Sequence, residues 1–124
     1  MTMIKAVESA AQPPQEFLDA MAEFVEEGIK SGVVVDLGGL APSAMSARVR
    51  LSGGKLVVTD GPFTEAKELV GGYAIIEASS KDEAIELAAQ LVNLHKELWP
   101  GWEGETEIRP LLGPEAPTRR VEMD

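Results

Sequence analysis

The sequence predicts an α+β domain in which two helices cover one face of a mostly antiparallel sheet. Three observations carry that reading. Two segments repeat their apolar residues at helical spacing, and several short ones alternate apolar with polar residues. Glycines and prolines punctuate the joins between them. In chain order the elements run strand, helix, strand, hairpin, strand, helix, strand.

Residues 3–7 form a short apolar run that reads as a first strand. Pro13-Pro14 then breaks the chain and opens a helix, because proline in a first helical turn forfeits no intrahelical bond. From Glu16 onward Leu18, Met21, Val25 and Ile29 share one stripe, flanked by Phe17 and Phe24. Asp19, Glu23, Glu26 and Lys30 take the wet side. Gly32 stands where a helix end adopts left-handed geometry. Residues 33–37 are a β-branched strand, ended by Gly38-Gly39 and Pro42.

Ala47, Val49 and Leu51 alternate with Ser46, Arg48 and Arg50, a half-buried strand pattern, and Gly53-Gly54 signals a two-residue hairpin turn. That turn fixes a register: Ser52 faces Lys55, Leu51 faces Leu56, Val49 faces Val58, and Ala47 faces Asp60. Asp60 is thereby placed on the apolar face of the hairpin, at its far end. Residues 70–78 form a further strand whose Gly71-Gly72 pair allows a bulge or close approach of another backbone. Ser80-Lys81-Asp82-Glu83 is a capping box for the second helix, with Ala84, Ala88, Leu91, His95 and Leu98 on one side. Trp99-Pro100-Gly101-Trp102 ends it. Thr106 to Leu111 alternates as a last strand, and Gly113-Pro114 opens a loosely held tail. The expected division is a domain over residues 1–112 and a tail over 113–124.

A chain of 124 residues suits one domain, with 44% hydrophobic and 26% charged residues in the ordinary globular range. The net charge of −10, unbroken by any basic cluster, opposes binding to nucleic acid or an anionic membrane. Cysteine is absent, which removes thiolate nucleophiles, disulfides and cysteine zinc sites. With one histidine, neither a metal nor a cofactor is expected. The N-terminal Met1-Thr2-Met3-Ile4-Lys5 has no leader-type apolar core, and a cytoplasmic location is the expectation. Two helices cover only one face of such a sheet, so a second copy of the chain is expected on the other.

Chemistry-bearing residues concentrate around residues 59–68. Asp60 has two readings: a carboxylate at the edge of an apolar cavity acting as general acid or base, or a turn residue bonding its own backbone. Gly61, Pro62 and Phe63 shape the loop. His95, the sole histidine, is either a proton shuttle paired with Asp60 or a packed core residue. Arg48, Arg50 and Arg109 are either clamps for an acidic ligand or partners of nearby carboxylates. Glu65 is part of that ligand site or of a solvated turn, and Phe63 and Tyr73 are core anchors or stacking platforms.

The Asp60-Gly61-Pro62-Phe63 tetrad, followed by Glu65, Lys67-Glu68 and Gly71-Gly72-Tyr73, resembles the DGPF branch of the YCII-related family. Gly38-Gly39-Leu40, Arg48-Val49-Arg50, residues 94–102 and Glu107-Ile108-Arg109-Pro110 match in order. The resemblance implies a ferredoxin-like fold that pairs into a dimeric α/β barrel. Its fold relatives include small enzymes acting on aromatic-derived or lactone compounds. It also implies genomic company with alternative sigma factors. Classical members carry a His–Asp pair with the histidine early in the first helix. Here that helix opens Gln15-Glu16-Phe17-Leu18, without histidine, so the pair does not carry over. Two functions are expected. One is a homodimeric small-molecule cavity near the loop, supporting cofactor-independent acid/base chemistry with Asp60 as base and His95 or Arg48 as partner. The other is a non-catalytic binding or regulatory module linked to a sigma factor.

Overall fold

The computed structural model describes residues 1–9 and 12–112; the tail predicted over 113–124 lies outside them. The elements are β1 (Thr2–Ala6), α1 (Gln15–Lys30), β2 (Val34–Gly39), β3 (Ala47–Ser52), β4 (Lys55–Asp60), β5 (Leu69–Ile76), α2 (Lys81–Leu98) and β6 (Gly104–Ile108). One four-stranded sheet has the order β2-β5-β1-β6, and every neighbouring pair in it is antiparallel. Two strand–helix–strand units thus interleave, which is the ferredoxin-like arrangement predicted. The β3–β4 hairpin stands apart as a second, two-stranded sheet inserted between β2 and β5.

Local chemistry explains most boundaries. Ser31 ends α1, and Gly32 follows with φ of 82°, the left-handed geometry that costs glycine nothing. Gly53 and Gly54 carry φ of 58° and 78°, the paired positive values of a two-residue turn matching strand twist. The resulting register is the one read from sequence, Ala47 opposite Asp60 through Ser52 opposite Lys55. At α2, Ser80 Oγ accepts from the Glu83 N–H at 3.1 Å, while the Glu83 carboxylate reaches back to Ser79, one residue earlier than a standard capping box.

Three expectations are corrected. The buried stripe of α1 is centred on Phe17, with Met21, Phe24, Val25 and Gly28 half-buried behind it, whereas Leu18 and Ile29 are exposed. The stripe turns by one position because Gly28 seats α1 on β2, where a Cβ would stand 2.7 Å from Val34 Cγ2. Gly38-Gly39 does not follow β2 but forms its last two residues. Gly38 makes room for the Tyr73 ring, which would stand 2.9 Å from a Cβ there. The last strand stops at Ile108, leaving Arg109 and Leu111 beyond it.

Cross-strand pairing sorts the sheet into faces, because directly opposed residues share a side. Thr2, Ile4, Gly72, Ala74 and Thr106 face the helices. Met3, Lys5, Tyr73, Glu105 and Glu107 form the other face, with Ile75 and Asp36 in the same row. Both helices pack against the first face, and Met3, Lys5, Tyr73 and Ile75 on the second are half-buried. Lys5 spans Glu105 and Glu107 there at 3.3 and 3.2 Å. Among the described residues no helix is long and apolar enough to cross a membrane.

Candidate functional site

The loop after β4 is built from backbone approach rather than from the aspartate. The Gly61 N–H donates to Ser46 O at 2.8 Å, and the Phe63 N–H donates to Ser43 Oγ at 3.1 Å. Ser43, itself buried, passes the load on: its N–H and Oγ donate to the two carboxylate oxygens of Glu8, at 2.6 and 2.5 Å. Those two bonds, the hydroxyl's first, hold the Glu8 carboxyl below its ordinary value. Gly61 sits so close to the Ser43–Met45 turn that a Cβ would fall 1.6 Å from Ser43 O. The Gly61–Pro62 peptide is cis. Phe63 is buried beneath the Arg48 guanidinium, which lies 3.8 Å above its ring centre.

Neither Glu8 nor Ser43 was legible as a site residue. Neither belongs to a recognisable motif in its segment, and only the fold brings them together across 35 positions. Removing the hydroxyl in Ser43→Ala leaves the Phe63 N–H without its acceptor in a buried loop. Expected is a loss of about 1–3 kcal/mol in urea denaturation, with Glu8→Gln costing less because its amide still accepts.

The predicted site residues divide. Arg48 is committed to Glu65, which it pairs, and to Phe63. Glu65 is held below its ordinary carboxylate value by its own backbone N–H first, then by Arg48, with Arg50 adding to the field. Arg48, Arg50, Glu65 and Phe63 therefore form one group on the Thr59 and Val57 side of the hairpin. Asp60, paired with Ala47, lies on the opposite side, so Arg48 does not meet it. Arg109 is 72% exposed and 3.8 Å from Glu107, far along the chain from the loop. Tyr73 lies on the uncovered sheet face with its hydroxyl 3.4 Å from Asp36 Oδ2.

Asp60 makes no ion pair or side-chain hydrogen bond among the described residues; Ser43 and Ser46 do the work expected of a turn aspartate. It sits at the end of the hairpin's apolar stripe. There Val49, Leu51, Leu56 and Val58 are 68, 71, 74 and 67% exposed.

His95 is only 4% exposed and closes an aromatic cluster. Its ring centre lies 4.1 Å from Trp102 and 4.6 Å from Phe17, with Trp99 stacked at 6.3 Å. Its Nδ1–H donates to Leu91 O at 2.9 Å, which fixes the tautomer. Desolvation pushes its basicity down. No hydrogen bond or ion pair joins it to Asp60, and the packed reading of His95 describes what the protomer shows. Among the described residues no three histidine, aspartate or glutamate side chains gather closely enough to hold a metal ion.

An uncharacterised protein of Rhizobium meliloti (strain 1021) is 35% identical over 83 residues, 67% of this chain. The match spans 63% of that relative's length. The family model of the YCII-related domain matches residues 1–100, which takes in both helices, the hairpin and the loop after β4. With three of the four sheet strands, both helices and the Gly61 loop falling inside that match, the chain belongs to the YCII-related family.

Proposed function

We propose that this chain, as a member of the DGPF branch, works as a cytoplasmic homodimer that binds a small organic molecule beside Asp60. One observation carries the reading: a carboxylate released from loop duty stands at the end of an exposed apolar stripe. Four large apolar side chains at 67–74% exposure are a liability on a lone subunit, and apposition with a second copy removes it. Burying them yields roughly 5 kcal/mol per hairpin. Two hairpins then only about match an association cost of roughly 4–15 kcal/mol. The uncovered sheet face, with Met3, Tyr73 and Ile75, must therefore join the contact. In a hollow closed in this way Asp60 stands where a carboxylate can take a proton from a bound compound. Lys5 and Arg109, of the uncovered sheet face and its edge, supply cations for an acidic one.

The proposal has two tests. Light scattering after size-exclusion chromatography is expected to give a dimer, and Leu56→Lys a monomer; a wild-type monomer ends the reading. Asp60→Asn is expected to change stability by less than about 0.5 kcal/mol, since no partner is lost. The same variant abolishes the thermal shift produced by hits from a library of small organic compounds. A large fall in melting temperature would instead make Asp60 a folding device. The second reading, a regulatory module docking on an alternative sigma factor, is favoured by the same exposed stripe. It requires that the factor co-purify with wild-type protein and not with Leu56→Lys.

A further inference from the structure

The geometry points to a second ligand site, inside each protomer, for a neutral and mostly apolar molecule carrying one hydroxyl or carbonyl group. A hollow of about 520 Å³ lies between the helix layer and the sheet. Pockets that hold small molecules span roughly 300–1,000 Å³. Met21, Phe24 and Val25 of α1 and Leu87 and Leu91 of α2 form its roof. The floor is bare because β2 and β5 place Gly39 and Gly72 opposite each other there, with Gly71 bulged beside them. Among the described residues no large side chain is fully buried.

Two threonines lie on the floor. Thr2 Oγ1 donates to Ala74 O at 3.2 Å. Thr106 lines the hollow, and its Oγ1 is buried with no partner among the described residues. A buried hydroxyl with neither donor nor acceptor is costly, and a ligand group bonding it would recover that cost. Among the described residues Glu27 is the only charged one on the lining; it is exposed and stands at the mouth with Ser31 and Gln90. No cation lines the interior, so a carboxylate entering it would be desolvated unpaired and repelled at the entrance. The chemistry selected is an alcohol or a ketone, not an acid, which separates this site from the one beside Asp60.

The test uses the full chain and the neutral fluorophore 1-N-phenylnaphthylamine. Expected is saturable binding at one probe per chain, displaced by decan-1-ol, with decanoate at least about tenfold weaker. Gly39→Leu fills the floor, because a Cβ at Gly39 meets nothing within 4 Å, and is expected to abolish binding. If that variant fails to fold, Gly39→Ala is expected to weaken binding. Thr106→Val keeps the shape and drops the hydroxyl. It is expected to raise the melting temperature of the free protein, keep the probe, and weaken decanol severalfold. Asp60→Asn and Leu56→Lys are expected to bind as wild type. Absence of saturable binding overturns the proposal. So does binding indifferent to changes at both Gly39 and Thr106, or binding lost in Asp60→Asn, which would move the probe to the hairpin.

Discussion

Gly61→Ala is expected to lower the melting temperature by 10 °C or more, or to abolish soluble expression. The added methyl would fall 1.6 Å from the Ser43 carbonyl oxygen, about half of any tolerable separation, and both partners are backbone. No rotamer relieves that overlap; the loop has to move by more than an ångström. Moving it breaks the Gly61–Ser46 bond and the Phe63–Ser43 bond, and lifts Phe63 from beneath Arg48. Overpacking of this kind, with two buried hydrogen bonds lost, costs roughly 3–5 kcal/mol. At this chain length each kcal/mol moves the melting temperature by about 3–6 °C. Gly71→Ala is the control: its Cβ meets nothing within 4 Å, so its cost should stay within about 1 kcal/mol. Equal effects of the two substitutions would mean that glycine acts through chain entropy rather than through contact with Ser43.

That contrast shows what the sequence could convey. Element order, the hairpin register and the α2 cap follow from local rules, since Gly53-Gly54 admits one turn class and Ser80 to Glu83 one cap. The placement of Asp60 on the hairpin's apolar side followed from counting residues back from that turn. The reason for Gly61 did not, because it lies in a carbonyl 18 positions upstream that only the tertiary fold delivers. Glu8 was invisible for the same reason. The α1 stripe was misread by one position because Leu18 and Phe17 satisfy the helical period equally well. What decides between them is the ring cluster of α2 and the following turn, which receives Phe17. At the candidate site the residue types were legible, but not the sides they occupy. Arg48 and Asp60 are close in sequence register, and the pleat sends them to opposite faces.

His95 should make the protein acid-sensitive well above the carboxylate range, and its removal should expose a structural role. Burial among Phe17, Trp99 and Trp102 lowers its affinity for a proton below the ordinary value of 6.5. Its hydrogen bond to Leu91 O opposes that shift but is outweighed. The unfolded chain therefore binds a proton before the folded one does. Above pH 6.5 both states are neutral and no stability depends on pH through this group. Stability then falls as pH drops below 6.5, until the folded-state value is reached. The Glu8 carboxyl, also depressed, contributes in a separate window below its ordinary 4.5, where falling pH likewise removes stability. His95→Leu keeps apolar bulk and cannot titrate, so its urea midpoint should be nearly flat between pH 7.5 and 5.5 while the wild-type midpoint declines. His95→Ala empties the centre of the ring cluster and should cost about 3 kcal/mol at pH 7.5, and less at pH 5.5, where the wild type has already lost part of the stability that the neutral imidazole confers. If the wild-type and His95→Leu profiles run parallel, the folded protein takes up the proton freely. The imidazole would then have to reach solvent, which would reopen its candidacy as a proton shuttle for Asp60.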